Sequence, residues 1–168
     1  MMKKPWLVVY SSLSGNTKSV GEAIFKILPE GSEIFPVEEA PSAEGYEKVA
    51  VGYWVDKGTA DARAMEYLQK TTNAKVFVFA TLGAYPDSDH ARESLERGAA
   101  LLGEGCEVIG KFICQGRLSE AIMERIRQMP KDAPHSASPE REARWKAAST
   151  HPDEADFAAV QAAIKEVM

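Results

Sequence analysis

Five short apolar runs alternate with amphipathic helical patterns, and this alternation restricts the possible folds more than any other feature of the chain. The runs are rich in Val, Ile and Phe and nearly continuous, as expected for strands covered on both faces. They lie at residues 6–10, 33–37, 48–54, 75–81 and 107–114. Stretches with apolar residues at i, i+3 and i+4 spacing lie between most of them and end the chain. This pattern predicts a mostly parallel sheet with right-handed crossovers.

The number and order of these segments predict a doubly wound α/β fold. Five strands and a closing helix favour a five-stranded parallel sheet of order 2-1-3-4-5 with helices on both faces. Pro36 lies in the second run and places it at an edge, because proline cannot donate to a neighbouring strand. In such a sheet, ligands bind outside the carboxyl ends of the strands. The loops at 11–17, 53–59 and 81–90 are therefore the candidate site.

One segment departs from the strand–helix rhythm. The length of 168 residues fits a single domain, 1–168, with an inserted loop and short helix at about 130–151. The helix is predicted over 139–149, with Ser138 as N-cap and Pro139 at its first position. Trp145 lies on this helix, either as part of a lid or as part of a partner surface. A second helix start is predicted at 151–157, with Pro152 at its first position.

Composition restricts the kinds of partner. The net charge of −5 argues against nucleic acid as the main partner and permits a positively charged protein partner. No apolar run approaches the ~20 residues of a membrane span, so we expect no membrane insertion and a cytoplasmic protein. Cys106 and Cys114 fall in one predicted strand, ~26 Å apart, too far for a disulfide. They are expected to be buried thiols, with no metal-ligand spacing around them.

The first candidate loop has the composition of a phosphate site. The segment "SSLSGNT" at 11–17 carries several hydroxyl and amide donors, a glycine that allows close backbone approach, and a helix start with unsatisfied N–H groups. It lacks the GK[ST] of a P-loop, the G-x-G-x-x-G of a dinucleotide fold and the C-x5-R of a phosphatase. The alternative is that Ser14 is a plain N-cap and the loop binds nothing.

Residues 12–17, "SLSGNT", resemble the phosphate loop of the flavodoxin family, T/S-x-T/S-G-N-T. The resemblance implies a flavodoxin-like fold and FMN as the cofactor. It also implies that neutral groups hold the FMN phosphate. The side chains that it assigns to this role are those of Ser12, Ser14, Asn16 and Thr17, with backbone help from Leu13 and Gly15.

The same resemblance assigns the flavin ring to the second and third loops. In "GYWVDKGTAD" (52–61), Trp54 would stack on the ring or lie at its edge, although burial in the core is the alternative. Gly58 would let a peptide turn its carbonyl toward the ring, and Thr59 is expected to cap the next helix. In "ATLGAYPDSDHA" (80–91), Tyr85 would cover the opposite ring face. The remaining predicted contacts are Val55, Asp56, Thr81, Leu82 and Gly83.

These features predict an FMN-binding electron carrier that exchanges electrons with a partner reductase or acceptor. Asp56, Asp87 and Asp89 would lower the flavin potential by like-charge repulsion and could dock a basic partner. His90 is expected to be a surface residue. The second and third loops resemble a bacterial subgroup of flavodoxin-domain proteins, some encoded beside bilirubin reductase in gut anaerobes, which suggests an accessory role in tetrapyrrole reduction. The alternatives are an FMN-dependent NAD(P)H or quinone reductase and a flavin-free interaction module.

Overall fold

The structure, a computed structural model, describes residues 2–168 and contains six strands and six α-helices. The strands are β1 Lys4–Tyr10, β2 Glu33–Pro36, β3 Tyr46–Asp56, β4 Thr59–Ala60, β5 Lys75–Leu82 and β6 Glu107–Gln115. The helices are α1 Asn16–Phe25, α2 Ala62–Lys70, α3 Asp89–Ala100, α4 Glu120–Arg127, α5 Pro139–Ala148 and α6 Glu154–Lys165. Two single-turn 3-10 helices, Val37–Glu39 and Ala43–Gly45, lie between β2 and β3.

The sheet has the strand order β2-β1-β3-β5-β6, and all of these pairs are parallel. The predicted doubly wound α/β sheet is confirmed. The order differs from 2-1-3-4-5 in its numbering, because the short β4 comes between β3 and β5 in the chain and pairs only with β3. Pro36 ends β2 opposite Tyr10, and β2 is an edge strand as predicted.

The hairpin of β3 and β4 is an element that the apolar pattern did not predict. Asp56 pairs with Thr59, and the two residues between them have positive φ, 52° at Lys57 and 80° at Gly58. Two consecutive positive φ values define the type I′ turn that suits a two-residue hairpin loop. The expectation that Thr59 caps the next helix is wrong, because Thr59 is part of β4 and Asp61 caps α2.

Successive residues of each strand point to opposite faces of the sheet and build two separate cores. One core packs Leu7, Val51 and Tyr53 against α2 and α3. The other packs Val8 and Phe79, among others, against α1 and α6. Both faces of the central strands are therefore covered, which explains why their sequences are apolar without interruption.

Gly52 is a point at which this packing leaves no space. A Cβ on Gly52 would lie 2.1 Å from Cε2 and 2.2 Å from Cζ of Phe79, which is itself fully buried. Forcing a methyl group into a packed core costs about 1–3 kcal/mol, so Gly52→Ala should lower the free energy of unfolding by about that amount in urea titrations. Gly45→Ala is the control, since its Cβ meets no atom within 4 Å. Equal losses in the two variants would contradict the packing explanation.

The segment at 116–150, between β6 and α6, contains α4 and α5. The helix predicted over 139–149 forms as α5, and the Ser138 side chain accepts a hydrogen bond from the backbone N–H of Arg141 at 3.1 Å. Trp145 is buried on α5, and the Arg127 guanidinium of α4 lies over its ring at 5.5 Å. Arg127 Nε also donates to Glu142 Oε1 at 2.6 Å, which joins the two helices.

Two further details differ from the sequence-based expectations. The helix start at 151–157 has Asp153 as its N-cap in a capping box with Asp156, so Pro152 precedes the cap and is not the first helical residue. Both cysteines are free thiols, but Cys106 is only half-buried and lies just before β6, while Cys114 is buried within it. Burial raises the pKa of the Cys114 thiol, which is expected to remain protonated.

Candidate functional site

Four loops meet at the carboxyl edge of the sheet. The residues predicted from the sequence to contact the flavin all lie on three of these loops or on the ends of the strands and the helix that adjoin them. The first loop follows β1, the second is the β3–β4 hairpin, the third follows β5 and the fourth follows β6. Hydrogen bonds join the first loop to each of the other regions, at Asp61, Thr81 and Arg117. The structure therefore brings the three predicted loops together and adds a fourth.

The first loop ends at an open helix N-terminus. Gly15 is the N-cap of α1, with φ 95° and ψ −7°, a left-handed conformation that favours glycine. Ser12 Oγ accepts the Gly15 N–H at 3.1 Å and so closes the loop. Ser14 and Leu13 are exposed on its outside. Ser14 precedes the cap residue, so the alternative of a plain serine N-cap is wrong.

Among the six α-helices of residues 2–168, α1 is the one whose N-cap offers no side-chain hydrogen bond. The other five are capped by the side chains of Asp61, Ser88, Ser119, Ser138 and Asp153. The first turn of a helix carries N–H groups without a partner inside the helix and a partial positive charge. The N-terminus of α1 can therefore bind an anion.

Asn16, the first residue of α1, connects this terminus to the fourth loop. Its side chain is buried, and Nδ2 donates to the carbonyl of Arg117 at 2.8 Å and to Ser14 Oγ at 3.3 Å. Its Oδ1 is buried and has no hydrogen-bond partner among the described residues. A Cβ on Gly116 would lie 2.6 Å from Asn16 Nδ2, so glycine is needed there. A buried acceptor without a partner is costly, and a donor group of a ligand that reached Oδ1 would remove that cost.

A pair of buried hydroxyl groups lies behind the first loop. Thr17 Oγ1 and Thr81 Oγ1 are 2.9 Å apart, and either can be the donor. Thr81 is near the end of β5, so this bond ties the start of α1 to the third loop. If Thr81 donates, the Thr17 proton is free for a ligand oxygen.

The second loop places an indole beside the first. Trp54 is half-buried near the end of β3, and its register partner on β5 is Thr81. It shares a sheet face with Gly52, the face covered by α1, since Tyr53 between them points the other way and donates to the carbonyl of Ser94 at 3.1 Å. In the hairpin turn, the carbonyl of Gly58 accepts a hydrogen bond from Arg97 Nη1 at 3.0 Å.

The third loop carries Tyr85 at the surface, with 41% of its area exposed. Its backbone is held by Ser88, whose side chain donates to the carbonyl of Tyr85 at 2.7 Å and caps α3. Gly83 lies against the fourth loop, because a Cβ there would be 2.4 Å from Leu118 Cδ1. Asp87 and His90 are exposed. An aromatic ring is thus presented to solvent at the same edge as Trp54.

The sequence model of the flavodoxin domain family matches residues 7–165, which covers all four loops. The chain belongs to this family. It is 31% identical over 156 residues to a flavodoxin-like domain-containing protein BilS of Clostridioides difficile (strain CD3), covering 90% of this chain and 89% of the relative. It is 30% identical over 174 residues to the protein of the same name from Clostridium symbiosum (strain WAL-14163), covering 93% and 92%.

The structural comparison agrees on the fold. A crystal structure of a flavoprotein in complex with FMN from Lactobacillus acidophilus NCFM has a TM-score of 0.51 and 16% identity to this flavodoxin-domain chain, covering 66% of this chain and 93% of that one. At this identity the likeness shows the fold alone. The prediction of the flavodoxin family and of the bacterial subgroup is confirmed by the sequence comparisons. None of the helices described for this flavodoxin-domain chain is long and apolar enough to cross a membrane.

Two residues at the carboxyl edge of this flavodoxin-domain chain are hydrogen-bonded to each other, and the sequence did not predict this pair. Ser11 Oγ donates to Asp61 Oδ2 at 2.5 Å, and both residues are buried. Asp61 also accepts the backbone N–H of Trp54 at 3.3 Å and that of Ala64 at 3.4 Å. Burial raises the pKa of Asp61, while these hydrogen bonds oppose the rise. No local pattern links Asp61 to a serine 50 residues away.

Proposed function

We propose that this chain binds FMN at the carboxyl edge of its sheet and carries electrons to or from a redox partner protein. The observation that carries the proposal is the open N-terminus of α1, which lacks the side-chain cap present on the other five α-helices of residues 2–168. A phosphate there gains N–H hydrogen bonds and the favourable end of the helix dipole. When bound, FMN supplies the redox chemistry.

The donors around α1 fit a phosphate dianion. Ser14 Oγ accepts from Asn16 Nδ2, so its own proton is free to point outward. Thr17 can donate to the phosphate while it accepts from Thr81. Ser12 and Leu13 would complete the cradle, Leu13 with its backbone N–H. The Gly15 N–H would join them on leaving its bond to Ser12 Oγ. Asn16 Oδ1 accepts only, so it suits a hydroxyl of the ribityl chain better than a phosphate oxygen.

The second and third loops would hold the ring. Trp54 and Tyr85 offer aromatic surfaces at the same edge, and stacking on a planar ligand contributes about 0.5–1.5 kcal/mol beyond the area buried. The other groups that we assign to this half of the site are Val55, Asp56, Gly58, Thr81, Leu82 and Gly83. The Gly58 carbonyl is held by Arg97 on α3, so any turn of that peptide toward the ring must first break this bond.

The partner proposal depends on the charge at this edge. Asp87 is exposed, and Asp56 lies half-buried at the hairpin turn. Acids beside the ring disfavour additional negative charge on it and attract a basic protein. The likeness of the second and third loops to the bacterial subgroup, and the two relatives named BilS, support an accessory role in the reduction of a tetrapyrrole such as bilirubin.

The experiment uses cytochrome c as a basic one-electron acceptor. The FMN-loaded protein, reduced photochemically, should transfer electrons to cytochrome c in stopped-flow mixing, and the rate should fall as salt rises. The variant Asp56→Lys with Asp87→Lys should slow the transfer and flatten its salt dependence. The control variant Glu30→Lys with Glu104→Lys makes the same change of charge near the amino ends of the strands, away from the proposed flavin site. It should leave the rate of electron transfer near the wild-type value.

Two outcomes would move the proposal to its rivals. The isolated FMN-loaded protein should oxidise NADPH negligibly, because the carrier needs a separate reductase. Rapid NADPH oxidation without a partner would favour a reductase. A purified protein that is colourless and does not take up added FMN would favour an interaction module.

A further inference from the structure

The contact between Ser11 and Asp61 joins the two halves of the edge, and neither residue is among the predicted flavin contacts. Ser11 is the residue directly before the 12–17 loop, and Asp61 ends the hairpin loop. Ser11 is 3% exposed and Asp61 is 2% exposed, and the hydroxyl donates to Oδ2 at 2.5 Å. The other carboxylate oxygen accepts the Trp54 N–H at 3.3 Å.

Backbone bonds fix both partners of this contact to the same strand. The N–H of Ser11 donates to the carbonyl of Gly52 at 2.9 Å, and the N–H of Asp61 donates to that of Trp54 at 3.2 Å. Asp61 also caps α2 through the N–H of Ala64. One carboxylate is therefore bonded to the first loop, to the base of the hairpin and to a helix.

We propose that the Ser11–Asp61 bond is a clasp that couples the phosphate half of the flavin site to its ring half, with both residues as positioning residues. The inference rests on the proposed FMN site. Asp61 touches no part of the cradle assigned to the phosphate, and Ser11 lies one residue outside it. Their role is to transmit the position of the first loop to the hairpin that carries Trp54.

The burial of the pair is what makes the transmission strong. A buried carboxylate that loses a hydrogen-bond donor keeps its desolvation cost, so the clasp resists opening. A movement of the first loop toward a bound phosphate that displaces Ser11 must therefore move Asp61 or break a costly bond. Because Asp61 holds the base of the hairpin at Trp54 through both its backbone and its side chain, the hairpin follows the first loop.

This coupling can be measured with the two halves of the cofactor as separate ligands. Riboflavin occupies the ring half without a phosphate, and inorganic phosphate occupies the other half. Coupled sites favour each other reciprocally, so saturating phosphate should tighten riboflavin binding to the wild-type protein by about fivefold or more. In Ser11→Ala and in Asp61→Asn, phosphate should change the riboflavin affinity by less than about twofold.

Ser19→Ala is the matched control. It removes a serine hydroxyl from the same region, one that donates to the Gly15 carbonyl at 2.9 Å and has no contact with the hairpin. It should retain the wild-type coupling, even if phosphate itself binds less tightly. Asp61→Asn keeps the volume of the side chain and, with its oxygen at the Oδ2 position, the cap of α2 and the acceptor for Ser11. Its amide group then replaces the acceptor of the Trp54 N–H, so this variant breaks the connection at the hairpin and remains informative if Ser11→Ala fails to fold.

Backbone amide exchange gives a second readout that needs no flavin. Phosphate alone should slow the exchange of the hairpin amides at 55–60 in the wild-type protein and in Ser19→Ala, but not in Ser11→Ala. A wild-type protein that binds FMN but shows no phosphate–riboflavin coupling overturns the clasp and leaves the proposed function standing. So does unchanged coupling in both variants. A wild-type protein that binds no FMN overturns both proposals.

Discussion

Replacing Ser14 by alanine and Thr17 by valine should weaken FMN binding by about 100-fold or more, while riboflavin binding changes by only a few fold. Each variant removes one hydroxyl that would donate to the phosphate dianion, and a hydrogen bond to a charged group is worth about 1.5–3 kcal/mol. Two such losses sum to roughly 3–6 kcal/mol, and each 1.4 kcal/mol is tenfold in affinity. Riboflavin lacks the phosphate, so it does not lose these bonds.

The two substitutions differ in their expected effect on the fold. Ser14 is exposed, so its replacement by alanine should cost little stability. Thr17 is fully buried with its hydroxyl 2.9 Å from that of Thr81, so valine preserves the volume but leaves the Thr81 hydroxyl without this partner, and urea titration of the variant checks that it still folds. Titration of protein fluorescence with each ligand measures the two affinities. Ser19→Ala is the control, because it removes a hydroxyl that donates to the Gly15 carbonyl and is not assigned to the phosphate. Equal weakening of FMN and riboflavin would show that the phosphate does not bind at α1.

The sheet was predictable because its strands are buried on both faces. Continuous apolar runs with intervening helical patterns leave few topologies, and the family resemblance of "SLSGNT" agrees with them. The hairpin strand β4 has only two residues, and the turn before it depends on positive φ at Lys57 and Gly58, so the apolar pattern does not predict it. The alternative that made Ser14 the N-cap of α1 was wrong by one residue, because the left-handed Gly15 rather than a serine side chain ends the loop.

The polar contacts of the edge were less predictable, because they join residues that are far apart in the chain. Asn16 donates to Arg117 across 101 positions, and Ser11 donates to Asp61 across 50. A local role, either as a hydrogen-bond donor within a loop or as a helix cap, is also enough to explain why each residue is polar. Sequence reasoning assigned each to its own loop, and only the meeting of strand ends at one edge shows that the loops are bonded to one another.

Binding of FMN should quench most of the tryptophan fluorescence that arises from Trp54, and Trp54→Phe should remove most of the quenching. The other two tryptophans lie elsewhere: Trp6 is 3% exposed in the middle of β1, and Trp145 is 7% exposed on α5. Trp54 is half-buried at the carboxyl edge, opposite Thr81 and on the face shared with α1. An indole there can contact a planar ring whose phosphate is bound at α1.

The three tryptophans allow the ring to be located by elimination. Trp6→Phe and Trp145→Phe should each lower the fluorescence measured before FMN is added. In both variants FMN should still quench the fluorescence of Trp54 as it does in the wild-type protein. Trp54→Ala should in addition weaken FMN and riboflavin alike, by up to about tenfold, since it removes an aromatic contact worth about 0.5–1.5 kcal/mol. Because the phosphate cradle is intact in this variant, the ratio of the two affinities should stay constant. Quenching that follows Trp145 would instead place the ring against α5 and assign the 116–150 segment to the flavin site.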